Sequence, residues 1–250
     1  MKIIWDEPKR RANLEKHGVD FADVSELDWE NAVVEDGRPD ADGRRRLDTL
    51  ALPLSVVRDA RDDERNPTGG TYLSAGVTPF VGLTGADSGV QLRLDARGYL
   101  APAGGDRLVL AARFQVGAVA RADLLRTPRS YLFYSGGGGT VRGQPYQSLG
   151  VISDCPGGPP GCTLRTGGRG FAALSTELRA KVTDNIGVVG FVDAGYVSAR
   201  AFGGGDWHAG AGVGLRYDTP IGPVRVDVGL PVRGATRDGP QLYIGIGQAF

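Results

Sequence analysis

The 250-residue chain is poor in several things that would have narrowed its class at once. No stretch approaches the ~18–20 consecutive apolar residues of a membrane-spanning helix, so any crossing of a bilayer would have to be made by strands. Its charge is balanced, 29 basic against 29 acidic residues. No overall field therefore recruits nucleic acid or anionic lipid, and no nucleic-acid partner is expected. It has only two histidines, His17 and His208, far apart, and only two cysteines, so neither metal-ligand spacing nor a redox pair of the CxxC kind is present. The cysteines, Cys155 and Cys162, flank six Pro/Gly-rich residues. That spacing allows a small disulfide loop, which would persist only in an oxidising compartment. The first residues, Met1-Lys-Ile-Ile-Trp-Asp-Glu-Pro-Lys-Arg-Arg, carry charge throughout and lack the apolar core of a signal peptide. No metal, no cofactor and no enzyme activity are expected, since no nucleophile–base arrangement is evident.

What the chain has in excess is glycine, 40 residues, of which 37 follow residue 47. The composition changes at the same place. Residues 1–47 hold nine Lys/Arg and twelve Asp/Glu. They read as a small α+β fragment: a strand at Lys2–Trp5, a helix opened by Asp6 and Pro8 and closed at His17-Gly18, a second short helix, and a strand at Ala32–Glu35. From about residue 48 the hydrophobic period becomes two, the signature of strands with one apolar face. Leu50, Leu52, Leu54 and Val56 share a face. Leu174 and Leu178 alternate with Ser175, Glu177 and Arg179. Val188, Val192 and Tyr196 oppose Phe191 and Asp193. Trp207, Val213, Leu215 and Tyr217 oppose His208 and a row of glycines, and Val224, Val226 and Val228 oppose Arg225 and Asp227. The count is nine strands joined as antiparallel hairpins.

Alternation alone does not separate a soluble sandwich from a barrel in lipid, but strand length favours the barrel. Ten to fourteen residues at ~3.3 Å each, tilted by ~45°, span the apolar thickness of an outer membrane, whereas soluble strands more often run to about five or six. The end of the chain, Gln241-Leu-Tyr-Ile-Gly-Ile-Gly-Gln-Ala-Phe250, fits a strand that closes a barrel. It puts Leu242, Ile244, Ile246 and Phe250 on one side and Tyr243, Gly245, Gly247 and Ala249 on the other. The fold class expected is mainly β: a partial antiparallel transmembrane β-barrel (48–250) preceded by the α+β fragment (1–47).

Between the fourth and fifth strands lies Phe133-Tyr-Ser-Gly-Gly-Gly-Gly-Thr-Val-Arg-Gly-Gln-Pro-Tyr-Gln-Ser-Leu-Gly150. A glycine run followed by Thr140, Val141, Arg142 and Gly143 resembles the sixth-loop motif of the BamA and TamA barrels of the bacterial surface antigen family. Asn66-Pro-Thr-Gly, Ser175-Thr-Glu-Leu-Arg179, Gly190-Phe-Val-Asp-Ala-Gly195, Gly210-Ala-Gly-Val-Gly-Leu-Arg-Tyr-Asp-Thr-Pro-Ile-Gly-Pro-Val-Arg-Val-Asp227 and Tyr243-Ile-Gly-Ile-Gly resemble further segments of it. The resemblance covers residues 48–250 and implies an outer-membrane location. It implies that the loop folds into the lumen and that Arg142 pairs there with Glu177 and Asp193, which alternation places on the inward face. It also implies a weak seam at the closing strand (Tyr243, Gly245, Gly247, Phe250), and a role in inserting or translocating proteins. The partners implied are outer-membrane lipid, unfolded outer-membrane or secreted client proteins, and other subunits of the assembly machinery. Sixteen strands and preceding periplasmic domains are expected of such barrels, against nine here. Separately, Trp5-Asp-Glu-Pro-Lys-Arg-Arg-Ala-Asn-Leu-Glu-Lys-His-Gly-Val-Asp-Phe-Ala-Asp-Val24 resembles the start of BrnT-type toxins. That leaves two alternatives open, a toxin-like ribonuclease fragment or a truncated fusion without activity.

Overall fold

A computed structural model describes residues 33–35, 48–102, 104–154, 159–234 and 239–250 of the chain. The strand and helices expected before Ala32 lie outside the described residues, as does Cys155. From residue 48 onward the alternating segments become long strands. β1 (Val33–Glu35) pairs with β2 (Asp48–Ala51), and both β2 and β3 (Leu54–Arg61) pair with β4 (Gly70–Thr84). β2 and β3 lie end to end along β4 as one interrupted strand. The break falls at Leu52–Pro53, where proline has no N–H for the ladder. Leu52 nevertheless donates to the Pro79 carbonyl at 3.0 Å, holding the two halves in line.

The remaining wall follows in sequence order: β5 (Gly89–Leu100), β6 (Leu108–Ala120), β9 (Gly170–Lys181), β10 (Ile186–Ser198), β11 (Gly205–Tyr217), β12 (Val224–Arg233) and β13 (Gln241–Ile246). Every neighbouring pair is antiparallel. β7 (Val151–Asp154) and β8 (Thr163–Thr166) form a separate hairpin inside the 121–169 connection, and β6 pairs directly with β9. With β2 and β3 taken as one, the wall from residue 48 has the nine strands expected. The sheet is not closed: β13 pairs only with β12 among the described strands. β1 belongs to the segment before residue 48 yet joins the same sheet through β2, so the change of composition is not a break in the ladder.

The register keeps each face in phase across the sheet. Leu100, Leu110, Leu178, Gly190, Val213, Val228 and Leu242 lie in one row. Its large members are all outward and exposed, from 40% at Val228 to 68% at Val213. The neighbouring inward positions are buried and polar: Ser175, Glu177, Arg179, Asp193, Arg216 and Asp227. This inverts a water-soluble core, and it is what a barrel wall facing hydrocarbon requires. Aromatic side chains mark the edges of the apolar band. Tyr196 and Trp207 pack ring against ring, 5.2 Å between centroids, and Tyr217 is exposed at the other end of the same hairpin. Ten residues separate the Tyr196–Trp207 pair from the Ile186–Tyr217 pair. At ~3.3 Å per residue and ~45° of tilt that is about 23 Å, close to the ~25 Å apolar band of such walls. No described helix is long and apolar enough to cross a membrane.

The interior has three storeys. At the end where the long connection enters, Phe80 stacks on Tyr131 and Phe133 on Phe171, forming a small apolar core with Val119 and Val197. The middle is ionic. At the far end Tyr99, Ala111 and Phe250 close the space. Here the expectation for the last residues is corrected. β13 stops at Ile246, and Leu242, Ile244 and Ile246 face outward as expected, but Phe250 does not join them. Gly247 takes φ +88°, a conformation costly for residues with a Cβ, and its N–H donates to the Pro223 carbonyl at 2.7 Å. The chain thereby turns inward, and Phe250 is buried 6.4 Å from the Tyr99 ring.

The β3–β4 turn covers this same end, and Gln248 donates its N–H to the Arg65 carbonyl at 3.1 Å. Asp62 organises the turn by accepting from the Asp63 N–H, the Thr68 N–H and the Thr68 hydroxyl. Desolvation pushes its carboxyl up, but the Thr68 hydroxyl and the amides of Gly69, Thr68 and Asp63 outweigh it and hold the pKa below the usual 3.8. A depressed pKa stabilises the fold fully above the unfolded value and ceases to do so as pH falls through the folded one. The Thr68 amide resonance of the refolded protein should therefore move with an acidic midpoint below 3.8. Asp62→Asn should abolish that titration, and a midpoint above 3.8 would contradict this account of the turn.

Candidate functional site

The connection 121–169 enters the lumen as a compact hairpin. Phe133 and Gly168 exchange backbone hydrogen bonds and close the segment 134–167, and within it Ser135 and Leu149 do the same and bring the ends of 136–148 together. Inside, the Gly137 N–H is shared between the carbonyls of Val141 and Gln144, both at 3.0 Å. The Gly136 N–H donates to the Thr140 hydroxyl at 2.9 Å. The coil uses positive φ at Gly136 and Gly137, the first two glycines of the run, and again at Gly143 beyond it. Gly143 also lies directly against the backbone of Leu230 on β12, leaving no room for a Cβ.

The four residues singled out by the motif sit at the tip and are spent on the wall. Thr140 caps the coil, and Val141 is fully buried where Gly195 on β10 leaves space for it. Arg142, 2% exposed, donates from its backbone N–H to Asp193 Oδ2 at 2.9 Å. Its guanidinium then forks onto the same carboxylate, Nε to Oδ2 at 2.8 Å and Nη2 to Oδ1 at 3.0 Å. Nη1 donates to Glu177 Oε1 at 2.5 Å and to Asp227 Oδ2 at 3.3 Å. The planar group lies 3.6 Å above the Phe191 ring. The expected set of Arg142, Glu177 and Asp193 is thus assembled in one place. Only arginine supplies five donors in a plane that can fork onto one carboxylate while bridging to others.

Sequence reasoning left three members out. Asp227 is a third acid, and Arg179 and Arg216 are two further cations. Arg179 Nε donates to Glu177 Oε2 at 2.8 Å, and Arg216 Nη1 to Asp227 Oδ1 at 2.5 Å. The cluster is three guanidiniums on three carboxylates, each side chain at most 7% exposed. Charge matching within this bonded set is what makes its burial tolerable, because an unmatched ion in this surrounding costs several kcal/mol. A fourth guanidinium, Arg225, lies beside the set with its buried Nε and Nη1 making no hydrogen bond. Alternation already placed Asp227 inward. What was missing was the register across β9 to β12, which brings Arg179, Val189, Gly214 and Asp227 to the same height.

The wall makes room for the loop with glycine. A Cβ at Gly210 on β11 would collide with the Arg142 carbonyl, and one at Gly229 on β12 with the Gly143 nitrogen, so these two glycines form the floor of the seat. On the other side of the tip, the Tyr243 hydroxyl of β13 accepts from the Gly143 N–H at 2.9 Å and donates to the Gln144 carbonyl at 3.0 Å. Gly245, next inward on β13, lies beneath the Arg225 guanidinium, and Gly247 ends the strand. Of the cysteines, Cys162 is disulfide-bonded.

A family model described as the Omp85 superfamily domain matches residues 8–250. The match runs through the composition change at residue 48 and gives no support to a separate toxin-like origin for the stretch before it. Among solved structures, the fold is similar to that of BamA from Haemophilus ducreyi lacking POTRA domains 1–3, with a TM-score of 0.64 and 19% identity. The similarity covers 80% of this chain and 42% of that one, so the chain spans about two-fifths of the length of that protein. An inside-out antiparallel wall, a glycine-rich loop locked to it by a buried arginine, and a family match over nearly the whole length lead to one conclusion: the chain belongs to the Omp85 superfamily.

Proposed function

We propose that the chain is the loop-bearing, seam-forming portion of an outer-membrane barrel that inserts or translocates proteins, in the manner suggested by its likeness to BamA and TamA barrels. The observation that carries this reading is the juxtaposition of a locked lumen loop with a thinly held edge strand. β13 has six residues, pairs only with β12 among the described strands, carries Gly245 next to its last residue and is followed directly by Gly247. Its outer edge therefore offers unpaired N–H and C=O groups to an incoming strand, which can add by edge pairing without covalent chemistry or a cofactor. The disulfide at Cys162 suits an exported protein, since such bonds persist outside the reducing cytosol. In this reading the exposed Leu and Val rows meet outer-membrane lipid. The clients are unfolded outer-membrane or secreted proteins, and further machinery subunits supply what this length of chain does not.

The test is insertion itself. The full chain, refolded into phospholipid vesicles, should speed the membrane insertion of a urea-unfolded barrel client. A cysteine placed at Gln241 should also crosslink to the client's terminal strand. Insertion no faster than in empty vesicles, with no crosslink, would overturn the reading.

A further inference from the structure

Tyr243 does something that a wall residue on an edge strand has no need to do. Its single hydroxyl is used as acceptor and donor on two successive residues of the loop tip, Gly143 N–H and Gln144 C=O. The ring edge also fills the space left by a third loop residue, since a Cβ at Gly138 would come within 3.3 Å of Tyr243 Cδ1. The loop tip is held meanwhile from two other directions. Asp193 on β10 holds Arg142, and the Gln144 side chain donates to the Arg233 carbonyl at the end of β12 at 3.2 Å. The tip thus bridges β10, β12 and β13, while β13 has no other neighbour than β12 among the described strands.

We propose that Tyr243 is a positioning residue that couples the edge strand to the lumen loop, so that β13 cannot leave its place without releasing the Gly143–Gln144 tip, and the loop cannot leave without loosening β13. Two sites whose states share bonds affect each other equally in both directions. The phenol is suited to this because it reaches from the strand across to the loop backbone and bonds both a donor and an acceptor there. Its partners are backbone groups, so the coupling acts through the path of the loop rather than through a direct bond to the ion cluster. Resting on the function proposed above, this coupling would make arrival of a client strand at β13 the event that frees the loop.

The experiment is a double-substitution cycle read by hydrogen exchange on the full chain refolded into vesicles, with no client present. Tyr243→Phe keeps the ring and removes the hydroxyl. Thr140→Val removes the loop's own cap on the Gly136 N–H and touches nothing on β13. With Tyr243 intact, Thr140→Val should raise exchange in residues 241–246 by about tenfold, the effect of losing roughly one net hydrogen bond. In the Tyr243→Phe background, where the strand is already loosened by a similar factor, Thr140→Val should add nothing there. Unchanged exchange of β13 in Thr140→Val, or effects of the two substitutions that simply multiply, would overturn the coupling. Because no client is used, this result is independent of whether insertion is accelerated.

Discussion

Replacing Arg142 by alanine should destabilise the folded wall by about 3–5 kcal/mol, the cost of stranding buried charge. Three carboxylates, Glu177, Asp193 and Asp227, would then be bonded by Arg179 and Arg216 alone, with Arg225 nearby but not hydrogen-bonded to them. Asp193 would lose the whole two-pronged bond, and the loop would lose its main tie to β10. Arg142→Lys should recover part of the loss, since an ammonium restores neutrality but not the fork. The decisive variant is the exchange of Arg142→Asp with Asp193→Arg, which keeps the total charge and should regain part of what Arg142→Asp alone loses. Urea unfolding in vesicles, followed by the heat-dependent shift in gel mobility, measures all four. Changes within ~0.5 kcal/mol, the range of ordinary surface substitutions, would mean that the loop is not locked through Arg142.

Much of this site could be read from the residues, and the parts that could not share a cause. Alternation in β9 and β10 put Glu177 and Asp193 inward, and the glycine-rich motif singled out Arg142. Asp227, Arg179 and Arg216 also showed inward parity, but parity gives a face and not a height. Height needs the strand-to-strand register, which no single strand encodes. Alternation gives no sign that Phe133, Phe171 and Val197 form an apolar storey where the loop enters. That storey arises because the loop, and not water, is the neighbour at that level. Phe250 shares the parity of Leu242, Ile244 and Ile246, but the positive φ at Gly247 ends the strand and redirects the chain, and the polar Gln248 at that same parity is the one local sign of it. The gap between β2 and β3 did have a local signal in Pro53, which an alternation count passes over.

The second large effect belongs to the outer face. Val192 lies at the middle of β10, paired with Thr176 and Ala211, and is 55% exposed. If hydrocarbon covers this row, Val192→Arg places a guanidinium near the bilayer midplane and should cost about 2–4 kcal/mol. Val192→Leu at the same position should be close to neutral, because it changes size without introducing charge. A sheet whose outer face met water would respond in the opposite way, with arginine accepted at an exposed strand position for less than ~0.5 kcal/mol.

The central claim is that the aliphatic rows face lipid while ions line the inside. The most direct check is the difference in unfolding free energy between Val192→Arg and Val192→Leu for protein refolded into phospholipid vesicles. A penalty of about 2–4 kcal/mol for arginine is the result expected from a lipid-facing wall. Equal stability of the two variants would show that water, and not hydrocarbon, covers that face.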